Sequence, residues 1–459
     1  MSIVKVEHVE ILPINSPQDQ TYSYKLGYPI VSFHIGSQSK FLDGKTLRLN
    51  GELVVLQNNG EAPSNNANRK TPGGGEVAVA NTAPNNRVSI ASCLQQLTLS
   101  TQDHQTLEVI RQYPRYLATA QTLTHSADDL NHNVAQQSAT ASRSLTCAQY
   151  VNVPVSFSMP LRCGMLSGGD PIPLGVNGTR GLQIQLELAP DFQVLGPWTN
   201  SEGNNCENNV TPAGAFYQLR NLSLSYDLHV PDEAGVVKMS NAASGALSYN
   251  SVSHIYSVLN SSDQTVNLNL GTQRTLSVVH NTLPTSFINN PNQDGCSTPY
   301  LQSKTAVDTN DYPKYELRKV SFSRGGVLFP IDSAIQAQND SGNAYTMPQT
   351  EKTINYMNAV KPYDGTNHTI ISPNTQSGIR SSLTVSGKPK EEGTYVDQNP
   401  CFGLGVREDP YRVGVDFSKT NYAVRVESEL PGDEPNSLFT YVLAANQLMY
   451  SPQGIQVMN

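Results

Sequence analysis

Two stretches, spaced by about half the chain, alternate hydrophobic and polar residues over unusual lengths. In FYQLRNLSLSYDLHV, Phe216 to Val230, one face collects Leu222, Leu224, Tyr226, Leu228 and Val230, and the other Asn221, Ser223, Ser225, Asp227 and His229. That period predicts a strand with one face on a core and the other in water. LFTYVLAANQLMY, Leu438 to Tyr450, is about as long and as aromatic, but it alternates less cleanly; Ser451-Pro452 follows it. Each reads as the long closing strand of its half, so the chain is expected to hold two similar all-β units in tandem.

Shorter alternating runs fill both halves. The first half offers Ile30 to Ile35, Thr46 to Leu56, Val88 to Leu99, Val151 to Met159 and Leu182 to Leu188. Leu47, Leu49, Leu53 and Val55 share a face, as do Val151, Val153, Val155, Phe157 and Met159, and Leu182, Ile184, Leu186 and Leu188, so each strand faces a core on one side only. The second half offers His254 to Leu259, Thr265 to Leu270, Arg274 to His280, Tyr315 to Phe329, Tyr411 to Phe417 and Tyr422 to Val426. One interruption reads as helix: after Ser100-Thr101-Gln102-Asp103, Leu107, Ile110 and Leu117 have roughly helical spacing, with Pro114 breaking the run. Asp128 to Val134 reads as a second short helix. Pro231-Asp232-Glu233-Ala234-Gly235 reads as a turn-rich hinge between the halves. Long excursions separate the strands, among them 57–86, 189–214, 281–311, 332–376 and 388–409, and loops of that length in a compact domain are usually functional or disordered.

Composition agrees with this layout. A chain of 459 residues is long for one core, which predicts two units of roughly 200 residues each. Only 15% of residues are charged, while turn-forming polar residues abound, as in loop-rich β proteins. A net charge of −8 opposes a surface built to neutralise a phosphate backbone, and Lys388-Pro389-Lys390 is cancelled at once by Glu391-Glu392, so no strong direct nucleic-acid binding is expected. The opening MSIVKVEHVEILPIN lacks a secretory apolar run and no stretch has the length of a membrane span, so synthesis on the cytosolic side without signal peptide or transmembrane segment is expected.

The search for chemistry yields no site. Cys93, Cys147, Cys163, Cys206, Cys296 and Cys401 are scattered without metal-ligand spacing and read as reduced structural thiols. Gly73-Gly74-Gly75 lacks the strand-to-helix context of a phosphate cradle. Asn290 to Gly295 starts like a calcium loop but would place Leu301 where the bidentate carboxylate belongs. His8, His104, His125 and His132 lie in polar surroundings, and Asp128-Asp129 and Asp433-Glu434 are adjacent pairs that point apart. No GxSxG elbow is present. Catalytic residues, cofactor-binding residues and metal ligands are therefore all expected to be none, and the protein is not expected to be an enzyme.

Six segments taken in order carry a resemblance: FLDGKTLRLNGELVVL from Phe41, QTLEVIRQYPRYLATAQTLT from Gln105, GLQIQLELAPD from Gly181, FYQLRNLSLSYDLHVPD from Phe216, VSFSRGGVLFPID from Val320, and the C-terminal NSLFTYVLAANQLMYSPQGIQV. Together they resemble the double jelly-roll major capsid proteins of small icosahedral DNA viruses, of the virophage and Polinton-like type. The resemblance implies an all-β fold of two tandem eight-stranded jelly rolls with short helices in loops, divided into an N-terminal arm (1–25), a first jelly-roll domain (26–231) and a second (232–459). It also implies a structural subunit of the virion: a homotrimeric, pseudo-hexameric capsomer that meets neighbouring capsomers, penton and minor capsid proteins, with no catalytic residue to carry over. The alternative is a carbohydrate-binding or glycan-active β-sandwich, since jelly rolls also serve lectins. A sugar platform would need exposed aromatics, and the single Trp is Trp198. A minor vertex protein would be expected to use one jelly roll, so the duplication counts against it.

Overall fold

The computed structural model describes residues 3–56 (except 18), 68–70, 76–78, 82–84, 89–117 (except 103 and 104), 154–167, 171–175, 181–197, 216–241, 245–285, 288, 317–328, 335–336, 401–405, 414–428, 435–451 and 454–458. The first half contributes β1 (Ile3–Ile11), β2 (Ile30–Gly36), β3 (Phe41–Leu56), β4 (Leu94–Thr101), β5 (Thr106–Arg111), β6 (Val155–Pro160), β7 (Gly181–Leu188) and β8 (Phe216–Pro231). The second contributes β9 (Gly245–Leu259), β10 (Asp263–Leu268), β11 (Thr275–Pro284), β12 (Leu317–Arg324), β13 (Val327–Leu328), β14 (Cys401–Gly405), β15 (Tyr422–Ser428) and β16 (Asn436–Ser451).

These strands form two pairs of sheets, ordered β1-β8-β3-β6 and β2-β7-β4-β5 in the first half, β9-β16-β11-β14 and β10-β15-β12-β13 in the second. Every neighbouring pair along these orders is antiparallel. Counted from the first strand of each half, both halves have the same spatial order, which is that of an eight-stranded jelly roll. The fold is therefore all-β, a double jelly roll. The two long strands recognised in the sequence, β8 and β16, are the eighth of each unit and lie inside their sheets, between the first and third.

The core follows the predicted faces. Leu47, Leu49, Leu53 and Val55 of β3, Leu182, Ile184, Leu186 and Leu188 of β7, and Leu222, Leu224, Tyr226 and Leu228 of β8 are all buried in one cluster. In β8 the alternation survives a bulge: the register with β3 slips between Arg220 and Ser223, and Asn221 sits there with φ of 52°. Gly51 lies opposite, where a Cβ would come within 2.6 Å of Leu222 Cδ2, so the bulge pushes Leu222 into space that only glycine leaves free.

Residues 3–11 are β1, paired with β8 from Ile3↔Pro231 to Ile11↔Leu224. Several expectations of local structure give way. The helix expected beyond Asp103 begins as strand β5, and among the described residues of that stretch the helical ones are 113–117. Leu107, Glu108 and Ile110 are all buried there, and burial on both faces removes the period-two signal. The expected hinge at 231–235 opens α2 (Glu233–Asn241), with Asp232 Oδ1 accepting the Gly235 N–H at 2.8 Å as an N-cap. Val415 makes only an isolated bridge to Thr275, and Val413 lies outside the described residues, as do the helix expected at 128–134 and the strand positions Val151, Val153 and Tyr411.

Candidate functional site at the junction of the two jelly rolls

The second hydrophobic cluster is built from Val266, Leu268, Val278, Phe322, Val424, Val426, Leu438 and Val442. Phe439, Tyr441 and Leu443, the alternate residues of β16, belong instead to the core of the first unit. β16 is thus buried on both faces, one against its own barrel and the other against the neighbouring one. This is why its sequence reads LFTYVLAA with little alternation.

Glu108 lies at the centre of the joint. It is buried on β5 and aligned with Leu99 of β4. Its Oε1 accepts the N–H groups of Gly164 and Val252, each at 2.8 Å, and its Oε2 accepts that of Met165 at 3.0 Å. Gly164 and Met165 open the short α1 (Gly164–Ser167), while Val252 is on β9, so one carboxylate ties both units together. Burial pushes this carboxyl up, and the N–H bonds from Met165, Val252 and Gly164 pull it part of the way back. Gly164 is needed for the close approach, since a Cβ there would come within 2.6 Å of the Asn250 carbonyl oxygen. The neighbouring Cys163 thiol is buried and pushed up by burial and by Glu108, the state of an inert thiol.

Aromatic contacts continue the joint. The Arg115 guanidinium, in the turn 113–117, stands 3.9 Å from the centroid of Phe439, a cation–π contact in a site shielded from water. Tyr116 meets Tyr441 at 5.6 Å between ring centroids, and His254 of β9 meets Phe439 at 5.8 Å and Tyr441 at 5.2 Å. Burial, helped by Arg115 and Arg111, lowers the His254 pKa to about 4, so its ring is neutral at pH 7. Tyr249 OH donates to the Leu107 carbonyl at 3.4 Å, and Tyr113 OH accepts the Arg162 N–H at 3.0 Å.

Deep in the second barrel, His280 Nδ1 lies 2.9 Å from Thr440 Oγ1 and its Nε2 2.7 Å from Tyr422 OH; burial lowers its pKa to about 3. A neutral imidazole donates through one nitrogen and accepts through the other, which satisfies both neighbours. This is core architecture, closed to solvent.

Of the residues considered for chemistry, His8 is paired with Asp227 at 2.8 Å on the surface, and Cys93 and Cys163 are buried thiols outside any disulfide. His104, His125, His132, Cys147, Cys206, Cys296, Trp198, Gly73 to Gly75, Asn290 to Gly295, Asp128-Asp129 and Asp433-Glu434 lie outside the described residues. Among the described residues, no group of three or more His, Cys, Asp or Glu could hold a metal ion, and no helix is long and apolar enough to cross a membrane. Sequence reasoning missed Glu108 and Arg115. Their one signal is charge set inside an apolar stretch, as in Leu107-Glu108-Val109-Ile110.

No family model and no curated protein matches the sequence. In structure the likeness runs over the whole chain. A quasi-atomic model of the PBCV-1 virus capsid matches with a TM-score of 0.56 at 12% identity, covering 100% of this chain and 98% of that one. The Sputnik virophage, solved by cryo-EM, matches at 0.55 and 10% identity, covering 100% and 89%. The Faustovirus major capsid protein matches at 0.53 and 9% identity, covering 97% and 90%. The fold of this chain is the fold of those capsid structures.

Proposed function

We propose that this chain is the major capsid protein of an icosahedral virus, a structural subunit and not an enzyme, made in the host cytosol and incorporated into the virion. The observation that carries the reading is the repeated eight-strand order, matched along the whole chain to viral capsid structures. A shell needs flat-sided, self-complementary blocks more than it needs a reactive cleft. Two barrels of one topology, joined by a buried interface, make a block with two similar lobes, and three such blocks in a closed ring present six.

In this proposal the first jelly roll ends with β8 and counts β1 as its first strand, and the second begins after Pro231. The homotrimer is the capsomer, pseudo-hexagonal in outline, and its flanks meet neighbouring capsomers, penton and minor capsid proteins. The glycan-binding alternative gains no observation among the described residues. Light scattering on the purified protein should report about three times the chain mass of 49.9 kDa, and electron micrographs of the oligomer should show six lobes. A chain that stays monomeric at high concentration and with its viral partners contradicts the proposal.

A further inference from the structure

The connection from β1 to β2 is unlike its counterpart in the second unit. Between β9 and β10 the chain turns through Asn260-Ser261-Ser262 alone, whereas between β1 and β2 it runs from Leu12 to Pro29 and ends in a tight hairpin, Ser23 to Tyr28. The jelly roll itself does not require this tip. Thr21-Tyr22 anchors it on β8, with Thr21↔Arg220 and Tyr22↔Leu219, and Ser23 Oγ donates to the Tyr217 carbonyl at 3.1 Å. At the tip the Tyr28 N–H donates to the Ser23 carbonyl at 3.0 Å and the Gly27 N–H to the Tyr24 carbonyl at 3.2 Å, with Gly27 at a φ of 83°.

On this hydrogen-bonded turn Tyr24, Leu26 and Tyr28 are 45%, 48% and 53% exposed, and Leu12, Ile14 and Ile30 of the same connection are exposed as well. Single apolar side chains at a surface need no explanation, but this concentration does. An incoming strand is not what covers it. β2 is the end strand of its sheet, yet its edge is already closed here: the Ile14 N–H donates to the Ser32 carbonyl at 2.8 Å, Asn15 Oδ1 accepts the Ser32 N–H at 2.9 Å, and Asn15 Nδ2 donates to the Ile30 carbonyl at 2.7 Å. The charge at the tip has one sign. Lys25 Nζ stands 4.5 Å from the centroid of the Phe216 ring, with Asp191 within its electrostatic reach, and no carboxylate occurs from Gln20 to Gly36.

We propose that the hairpin Ser23 to Tyr28 seats on the surface of a phospholipid bilayer, with Leu26 in the acyl boundary, Tyr24 and Tyr28 at headgroup level and Lys25 toward the lipid phosphates. Tyrosine suits that depth because its ring is apolar and its hydroxyl stays wet. A tip whose turn N–H groups are bonded within the hairpin can enter a medium of low polarity without stranding them. A lysine with no carboxylate beside it in the connection complements a phosphate surface, and apolar area plus such attraction is what holds an interfacial segment. Each chain of an oligomer presents one tip, so weak single contacts add by avidity. The inference concerns each chain singly and goes beyond the capsid reading.

The test uses the full chain as parent, as L26D/Y28D, as L26W, and as the control V237D on α2. The substituted positions are all exposed, so melting temperature, circular dichroism and mass by light scattering should match the parent. In flotation with vesicles of phosphatidylcholine containing a minor share of phosphatidylserine, the parent and V237D should rise with the lipid. L26D/Y28D should lose on the order of tenfold or more of that binding, the factor that withdrawing one buried leucine implies. The emission of L26W should shift to the blue when vesicles are added, over the Trp198 background that the parent also carries. A parent that stays out of the lipid fraction, an L26D/Y28D protein that floats with the parent, or an L26W emission that lipid leaves unchanged overturns the proposal. An L26D/Y28D protein of lower oligomeric mass than the parent also overturns it, because the tip would then be a contact between copies. None of these outcomes touches the capsid reading, which stands or falls on the mass and outline of the parent oligomer.

Discussion

At the scale of single residues, the buried Glu108 carboxylate is the most consequential side chain in the described structure. Its neighbours at hydrogen-bond distance are donors, so Glu108→Ala strands three buried N–H groups, each costing about 1–3 kcal/mol. Glu108→Gln keeps one carbonyl oxygen but turns an NH₂ toward a donor, and it should recover only part of the loss. Urea titrations should place both variants well below the parent, with Ala lowest; a Glu108→Ala midpoint equal to that of the parent would remove the joint's keystone. The two buried imidazoles predict a pH dependence. Their folded pKa values, about 4 for His254 and about 3 for His280, lie below the usual 6.5. The stability they contribute is therefore full above pH 6.5 and is lost as pH falls toward those values, at about 1.4 kcal/mol per pH unit for each ring. Glu108, raised by burial, acts with the opposite sign, since its contribution is lost as pH rises through its folded value. Melting temperatures at pH 7 and pH 4.5 should accordingly converge in His254→Gln, which removes one of the rings. Neither role is legible in the sequence: the one signal at Glu108 is a charge set inside an apolar stretch, and nothing sets His254 apart from the alternating residues around it.

At the scale of elements, legibility tracks how many faces of a strand are buried. β3, β7 and β8 could be read from period two alone, and their core faces are those expected. β5 and β16 could not, since each is covered on both sides and loses the alternation. β1 hid for the opposite reason: most of its residues are exposed. The wet face of β8 also needs correction. Ser223, which the alternation marks as tolerant of charge, is buried and donates its hydroxyl to the Glu10 carboxylate. Ser223→Asp sets two carboxylates against each other and should cost stability, though less than Leu224→Asp, which drives a charge into the core. Gly51→Ala should also lower the melting temperature, because its methyl group meets Leu222 and the Arg220 carbonyl across the bulge. A Gly51→Ala protein that melts with the parent would mean that the bulge is not packed as described.

At the scale of the whole molecule, the sequence showed duplication but not docking. Two tandem barrels and a short connection were readable from β8, β16 and the stretch after Pro231; that the second barrel completes the core of the first was not, because the contact is made by residues far apart in the chain. The consequence is asymmetric dependence. Cutting the chain after Pro231 would leave the second unit with Phe439, Tyr441 and Leu443 facing water, each worth about 1.5–3 kcal/mol when buried, together with a strand edge that Glu108 no longer holds. The fragment 232–459 alone should therefore aggregate or expose a surface that binds a hydrophobic dye. Co-expressed with fragment 1–231, it should be recovered as a soluble one-to-one complex, and Glu108→Ala in the first fragment should weaken that complex. If fragment 232–459 were instead a soluble monomer that bound no dye and showed no affinity for fragment 1–231, the shared core could not be what holds the two barrels together, and the rigid two-lobed block on which ring closure depends would lose its basis.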